Sequence, residues 1–181
     1  NLRAKYDVIV FVNGAIPLPK SIGAPSPRQS EYFVKVPTGD DLPAAYRGWT
    51  GSITEEKSIP ALRQFTEQGG SIVTIGTSTN LAYHLGVPVR NALVEMGAQG
   101  KERRLPRDKF YVPGSILSAA IDPSAPLAWG LDATADIYFD NSPVFKLLPG
   151  AVAQGVKPVA WFADASPMRS GWAWGQSYLA D

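Results

Sequence analysis

Residues 71–85 read SIVTIGTSTNLAYHL, and no other stretch of the chain says as much about the fold. The first part, residues 71–75, is rich in β-branched and apolar side chains, which predicts a strand buried in a sheet. The small polar residues 76–80 predict a tight turn. An apolar segment that begins at Leu81 predicts a short helix. The stretch is therefore a predicted strand–turn–helix unit.

A strand and a helix are predicted ahead of this unit. Residues 6–12 read YDVIVFV, a run that is typical of a strand buried on both faces. Residues 58–68 place apolar side chains at helical spacing, and Gly69 supplies a stop. Pro60 fits a helix only in the first turn, which places the helix start near Ser58. Strand, helix, strand and helix in succession predict βαβ crossovers, a parallel sheet and the α/β class.

The rest of the chain gives weaker predictions. Residues 14–51 contain six prolines and five glycines, which predicts a long loop excursion. Within this excursion, residues 31–36 are the one extended piece, predicted as an edge strand or an arm. The later segments are predicted as a weak helix at 89–96, a strand at 116–121, short strands at 137–139 and 144–148 that pair with each other, and a strand at 156–162.

Composition excludes several classes of site. The chain has 181 residues, which suits a single domain over residues 1–181. It has no cysteine, so disulfides and thiol nucleophiles are excluded. His84 is the only histidine, so a site with several histidine ligands is excluded. The net charge of +1 does not predict a nucleic-acid partner, and the apolar run at residues 8–12 is too short to span a membrane.

Residues 76–80 also have the outline of a nucleophile elbow, Gly-x-Ser-x-Gly, with Ser78 at the position of the nucleophile. Asn80 replaces the second glycine, whose small size lets the helix pack close to the strand. His84 lies six residues beyond Ser78, and at about 100° per residue it points about 240° away on a helix. We therefore predict no catalytic residue and interpret Ser78 as a degenerate elbow position in a turn whose hydroxyls cap the following helix.

Two groups of residues are candidates for ligand binding. In open α/β sheets, ligands bind beyond the carboxyl ends of the strands. The crevice candidates at those ends are Asn13, Gly14, Thr77, Ser78 and Asn80.

The second group is aromatic. Residues 171–175 read GWAWG, which places Trp172 and Trp174 on the same side if the piece is extended. Burial is the commoner outcome for such side chains, and an exposed platform for sugars or a partner is the alternative. Residues 101–109 carry a net charge of +3. A solvated loop is the ordinary interpretation of this segment, and a patch for phosphate or an acidic partner is the alternative.

The order of several segments resembles that of a known family. These segments are residues 6–10, 62–73, 86–91, 111–117, 122–130 and 141–145. Together they resemble the C-terminal domain that follows the zinc carboxypeptidase-like (M14-type) catalytic domain in some secreted bacterial proteins. That domain is similar in fold to class I glutamine amidotransferases. The resemblance extends from Leu2 to Tyr178, and its motifs are loop and packing signatures.

The resemblance implies a flavodoxin-like three-layer α/β sandwich with a mostly parallel sheet. It also implies that Ser78, or Thr77 beside it, occupies the elbow where an amidotransferase carries its cysteine. The zinc ligands of the peptidase, a His-x-x-Glu pair and a distant histidine, have no counterpart in this chain. The resemblance therefore implies no cofactor here, zinc in a separate peptidase domain, and a fragment of a larger periplasmic or extracellular protein.

These observations lead to two main hypotheses. The first is a non-catalytic accessory domain of a zinc carboxypeptidase-like protein, with that protein's own N-terminal peptidase domain as its partner. The second is a binding module for glycans or cell-wall fragments that uses Trp172 and Trp174. A third, a serine hydrolase that uses Ser78, predicts labelling by a fluorophosphonate probe.

Overall fold

The structure is a computed structural model that describes residues 1–20, 22, 41–49, 51–97, 102–140 and 142–180. The chain divides into two compact units, Asn1–Leu85 and Gly86–Asp181, which we call the N-terminal unit and the C-terminal unit. The extended piece predicted at residues 31–36 lies outside the described residues.

The N-terminal unit contains one parallel strand pair and two helices. Its elements are β1 (Val8–Phe11), α1 (Ser58–Glu67), β2 (Ser71–Thr74) and α2 (Leu81–Leu85). Strands β1 and β2 pair in parallel, with Val8 opposite Ser71. The helix begins at Ser58, as the position of Pro60 predicts. The predicted strand–helix–strand–turn–helix order is confirmed for this unit.

The core of the N-terminal unit lies on one face of the strand pair. Helix α1 buries Ile59, Leu62 and Phe65, and the cluster around Leu62 includes Ile9 of β1 and Ile72 of β2. The opposite face of the pair carries apolar side chains that are exposed, of which Val10 is one, so the prediction of a strand buried on both faces is wrong for β1. Burial of the apolar side chains between helix α1 and the strand pair supplies the main driving force for the unit to fold.

The C-terminal unit is built from antiparallel strands. Its strands are β3 (Val89–Asn91), β4 (Val94–Met96), β5 (Glu102–Arg104), β6 (Pro113–Ile121), β7 (Thr134–Asp140), β8 (Phe145–Leu147), β9 (Ala160–Trp161) and β10 (Met168–Ser170). The long strand β6 pairs with β7, β9 and β10, while β3 pairs with β8 and β4 with β5. All of these pairs are antiparallel.

Strand β6 organises the core of this unit through strict alternation. From Ser115 to Ile121, alternate side chains are buried on one face. Leu117 is fully buried and packs in one cluster with Phe139 of β7. Because side chains in a strand alternate between the two faces, this pattern defines which face of β6 joins the core.

The predicted flavodoxin-like sandwich is wrong. Among the described residues, β1 and β2 form the one parallel pair, and every strand pair after residue 86 is antiparallel. Parallel neighbours need long crossover connections, whereas antiparallel neighbours can follow short loops. Between β6 and β7 the chain has a short 3-10 helix, Pro126–Ala128, where a crossover helix would be required. The mostly parallel three-layer architecture is therefore overturned.

Three local predictions in the C-terminal unit are also wrong. Residues 89–96 form β3 and β4 and not a helix, because the Asn91 side chain accepts a hydrogen bond from the Leu93 amide at 2.9 Å and turns the chain between them. The predicted pairing of 137–139 with 144–148 is replaced by β7 with β6 and β8 with β3. The strand predicted at 156–162 is limited to β9.

Candidate functional site

The crevice candidates do lie together, beyond the carboxyl ends of β1 and β2. Asn13 Oδ1 accepts hydrogen bonds from the Thr77 amide at 2.8 Å and the Thr77 hydroxyl at 3.0 Å. The Gly14 amide donates to Thr77 Oγ1 at 3.0 Å. At Gly76, a Cβ would lie 2.4 Å from Asn13 Oδ1, so only glycine allows this approach. The polar groups of Asn13, Gly14 and Thr77 are thus engaged with one another.

Ser78 is a structural residue in this arrangement. Its side chain is 0% exposed. Its hydroxyl accepts hydrogen bonds from the amides of Ala15 at 2.9 Å and Ile16 at 3.3 Å, and donates to the carbonyl of Val12. A hydroxyl has one donor and two acceptor positions, so its capacity is used. Ser78 therefore ties the loop after β1 to the turn and does not cap the following helix.

Asn80 and His84 hold the same loop. Asn80 Nδ2 donates to the Ile16 carbonyl at 3.2 Å. His84 Nε2 lies 2.8 Å from the Pro17 carbonyl, and because a carbonyl only accepts, this nitrogen carries the proton. His84 is thus directed at the backbone and not at Ser78. The crevice residues hold the loop after β1 against the turn after β2, and few of their polar groups are left to bind a ligand.

The late tryptophans form a more open site. Trp172 and Trp174 are 51% and 54% exposed. Tyr111 joins them, since its backbone exchanges two hydrogen bonds with Trp174, at 3.0 and 2.9 Å. The rings of Tyr111 and Trp172 meet edge to face at 5.7 Å. We call Tyr111, Trp172 and Trp174 the aromatic platform.

Ser115 on β6 fixes the Trp172 end of the platform. Its buried hydroxyl donates to the Trp172 carbonyl at 2.6 Å and accepts from the Trp172 amide at 3.0 Å. Gly171 has a φ of +104°, and a Cβ there would lie 2.6 Å from Ser115 Oγ. The close approach of this segment to β6 therefore depends on glycine at 171.

The Trp174 end is fixed in a second way. Trp174 Nε1 donates to the Asp108 carbonyl at 2.6 Å, which sets the orientation of the indole. Gly175 has a φ of +69°, and a Cβ there would lie 1.9 Å from the Lys109 carbonyl oxygen. Both tryptophans are thus half-exposed, with the Trp172 backbone fixed by Ser115 and the Trp174 indole oriented by Asp108.

Charged side chains border the platform. The Arg107 guanidinium lies over the Tyr111 ring, with Cζ 5.0 Å from the ring centroid. Glu95 of β4 pairs with Arg103 of β5 at 2.6 Å and with Lys109. The hydrogen bond from Lys109, followed by that from Arg103, holds the pKa of Glu95 below its ordinary value. The same contact raises the pKa of Lys109.

Sequence reasoning missed Tyr111, Ser115 and Arg107 as members of this site. The bridge between Tyr111 and Trp174 joins residues far apart in sequence, and no local pattern marks such a pairing. The net charge of residues 101–109 was the one signal that pointed towards Arg107. Which cation of that segment meets an aromatic ring follows only from the tertiary structure.

In comparisons with known proteins, no family model, curated protein or solved structure matches the chain. The resemblance to the domain that follows M14-type peptidases therefore stays a prediction. The described ranges contain no group of three or more histidine or acidic side chains suited to a metal ion. Within those ranges, no helix has both the length and the apolar character needed to cross a membrane.

Proposed function

We propose that the chain is a non-catalytic binding module that binds saccharides on the aromatic platform. The observation that carries this proposal is the half-exposure of Trp172 and Trp174 on a backbone held by hydrogen bonds. Of the two outcomes that the sequence allows for these side chains, an exposed platform is thereby favoured over burial.

The physical reason is the energetics of large aromatic side chains. Tryptophan has a large apolar area, and folding usually buries most of it. In this chain the two indoles keep about half of their surface in water. A ligand with apolar C–H faces and hydroxyl edges, such as a pyranose, can cover the ring faces and remain hydrated at its rim. Asp108 already orients the Trp174 indole and Ser115 fixes the Trp172 backbone, so part of the ordering that binding requires is already present.

The non-catalytic part of the proposal rests on the hydrogen bonds made by Ser78 and His84. All hydrogen-bonding positions of the Ser78 hydroxyl are used by backbone groups. His84 is hydrogen-bonded to the Pro17 carbonyl. A serine nucleophile needs a base within hydrogen-bond reach and an accessible oxygen, and this site supplies neither for Ser78.

Titration of intrinsic tryptophan fluorescence with chitotetraose, cellotetraose and soluble peptidoglycan fragments tests the proposal. We expect saturable binding of at least one of them, with a loss of about tenfold or more in Trp172→Ala, because even the lower part of the range of about 1–3 kcal/mol known for stacking of a nucleic-acid base on an aromatic ring corresponds to about tenfold. Trp129→Ala is the matched control, since Trp129 is 94% exposed in the same unit but outside the platform. Absence of binding to all three ligands, or equal losses in both variants, contradicts the proposal.

The accessory role beside a zinc carboxypeptidase-like domain and the periplasmic or extracellular location stay predictions from the resemblance alone. The amidotransferase-like fold that motivated them is not observed. The reading frame upstream of residue 1 tests them directly. An in-frame His-x-x-Glu with a later histidine, behind a signal peptide, supports the accessory role, and a start codon directly before Asn1 contradicts it.

A further inference from the structure

Arg107 occupies an unusual position at the edge of the aromatic platform. Its guanidinium lies over the Tyr111 ring, and Tyr111 in turn contacts Trp172. The side chain is exposed. Among the described residues, no carboxylate lies within ion-pair distance of Arg107. A cation is therefore placed over an aromatic ring next to the proposed saccharide surface.

We propose that the saccharide bound by the platform carries a carboxylate and that Arg107 binds this group, an inference that rests on the proposed function. A guanidinium over a ring uses its face for the contact and leaves its N–H donors at the edge. Those donors match the two oxygens of a carboxylate in a bidentate pair. The ring restrains the side chain, so that less entropy is lost when the pair forms.

The other charges near the platform support an anionic ligand. Arg103 and Lys109 share the single carboxylate of Glu95. This carboxylate is therefore engaged and does not compete for Arg107. Arg103, Arg107 and Lys109 carry three positive charges and Glu95 and Asp108 carry two negative charges, so these five residues have a net charge of +1. Asp108, whose carbonyl accepts the hydrogen bond from the Trp174 indole, links this charged segment to the platform.

A single-stranded nucleic acid also combines stacking surfaces with negative charge. Proteins that bind it follow the phosphate backbone with many lysine and arginine side chains, and their affinity depends on that number. The whole chain has a net charge of only +1. One restrained guanidinium beside three aromatic rings fits a ligand with few charges, which favours an acidic saccharide.

Tetragalacturonate and its methyl ester test this inference, because methylation removes the charge of the carboxyl groups and leaves the sugar rings unchanged. We expect the full chain to bind the acid about tenfold more tightly than the ester in fluorescence and calorimetric titrations. Arg107→Gln is expected to remove that preference and leave the affinity for the ester unchanged. Arg107→Lys, which keeps the charge but not the planar donors, is expected to retain only part of it.

Arg90→Gln is the matched control, since Arg90 is an exposed cation of β3 in the same unit. We expect it to preserve the preference for the acid. Near-ultraviolet circular dichroism checks that each variant folds, and Arg107→Lys still tests the inference if Arg107→Gln does not fold.

Each possible outcome has a definite meaning. Equal binding of acid and ester overturns the carboxylate inference while it supports the proposed function. Equal losses in Arg90→Gln and Arg107→Gln overturn the role of Arg107. Binding of neither probe overturns this inference, and the proposed function is then decided by the neutral oligosaccharides described above. Tighter binding of octathymidylate than of tetragalacturonate, lost in Arg107→Gln, overturns the saccharide class.

Discussion

Among single residues, Ser78 shows how a sequence motif can be structural. Its hydroxyl satisfies the amides of Ala15 and Ile16 and the carbonyl of Val12. We expect Ser78→Ala to lower the free energy of unfolding by about 1–3 kcal/mol, because it leaves the buried amide of Ile16 without its partner. Urea denaturation followed by far-ultraviolet circular dichroism measures this loss.

Ser71→Ala is the control for this substitution. Ser71 is an exposed residue of β2 in the same unit, so the same chemical change there is expected to alter stability by less than about 0.5 kcal/mol. An unchanged unfolding midpoint in Ser78→Ala contradicts the structural role. Labelling of the folded protein at Ser78 by a fluorophosphonate probe contradicts it as well.

Gly175 is a second residue whose role follows from geometry. A Cβ at this position would lie 1.9 Å from the Lys109 carbonyl oxygen, so Gly175→Ala must displace the backbone next to Trp174. We expect loss of the fixed indole environment in near-ultraviolet circular dichroism and weaker binding of any saccharide that the platform binds. Gly155→Ala is the control, because Gly155 has a φ of +91° and open space around it. Its effect isolates the cost of the left-handed backbone, about 1–2 kcal/mol. If the two variants behave alike, the close approach at Gly175 is not what holds Trp174.

At the level of an element, Glu95 of β4 forms an ion pair with Arg103 of β5 across the hairpin. The pKa of Glu95 is lowered in the folded protein by Lys109 first and then by Arg103. Its ion pairs therefore stabilise the hairpin above the ordinary pKa of 4.5, and this stabilisation is lost as the pH falls through the lowered pKa. We expect the carboxyl resonance of Glu95 to titrate with a midpoint below 4.5.

The variant Lys109→Gln tests the assigned cause, since the hydrogen bond from Lys109 contributes most to the lowered pKa of Glu95. We expect this variant to raise the midpoint of the Glu95 titration more than Arg103→Gln does. Lys157→Gln removes an exposed charge elsewhere in the same unit and is expected to leave the midpoint unchanged. A midpoint at or above 4.5 in the unmodified chain contradicts the ion-pair geometry.

Helices and strands differ in how well the sequence predicts them. Helix α1 begins at Ser58 and ends at Glu67, close to the predicted bounds, because proline, helical spacing and glycine all give the same local answer. Residues 89–96 were predicted as a helix from a weak pattern, and Asn91 instead makes a side-chain turn between two strands. Local rules succeed where several signals agree and fail where one polar side chain competes with the backbone.

For the whole molecule, the prediction of a mostly parallel sheet was wrong because it extended a correct local unit to the entire chain. The parallel pair of β1 and β2 is real, yet it says nothing about how the strands after residue 86 pair. The pairing of β8 with β3 joins segments more than fifty residues apart, and such contacts leave no periodic trace in the sequence. For the same reason, the sequence indicates Trp172 and Trp174 as candidate site residues but not Tyr111, which pairs with Trp174 from a distant part of the chain.

The division into two units makes the predicted single domain over 1–181 testable. Each buried cluster draws its residues from one unit, with Leu62 in the first and Leu117 in the second. Leu62→Ala is expected to cost about 2–5 kcal/mol, since it removes buried methyl groups and leaves a cavity. If the units open independently, this cost appears as faster hydrogen exchange in β1 and β2 and not in β6 and β7. Leu117→Ala then gives the reverse pattern. If either variant accelerates exchange equally in both sets of strands, the chain unfolds as one cooperative domain, as the sequence length predicts.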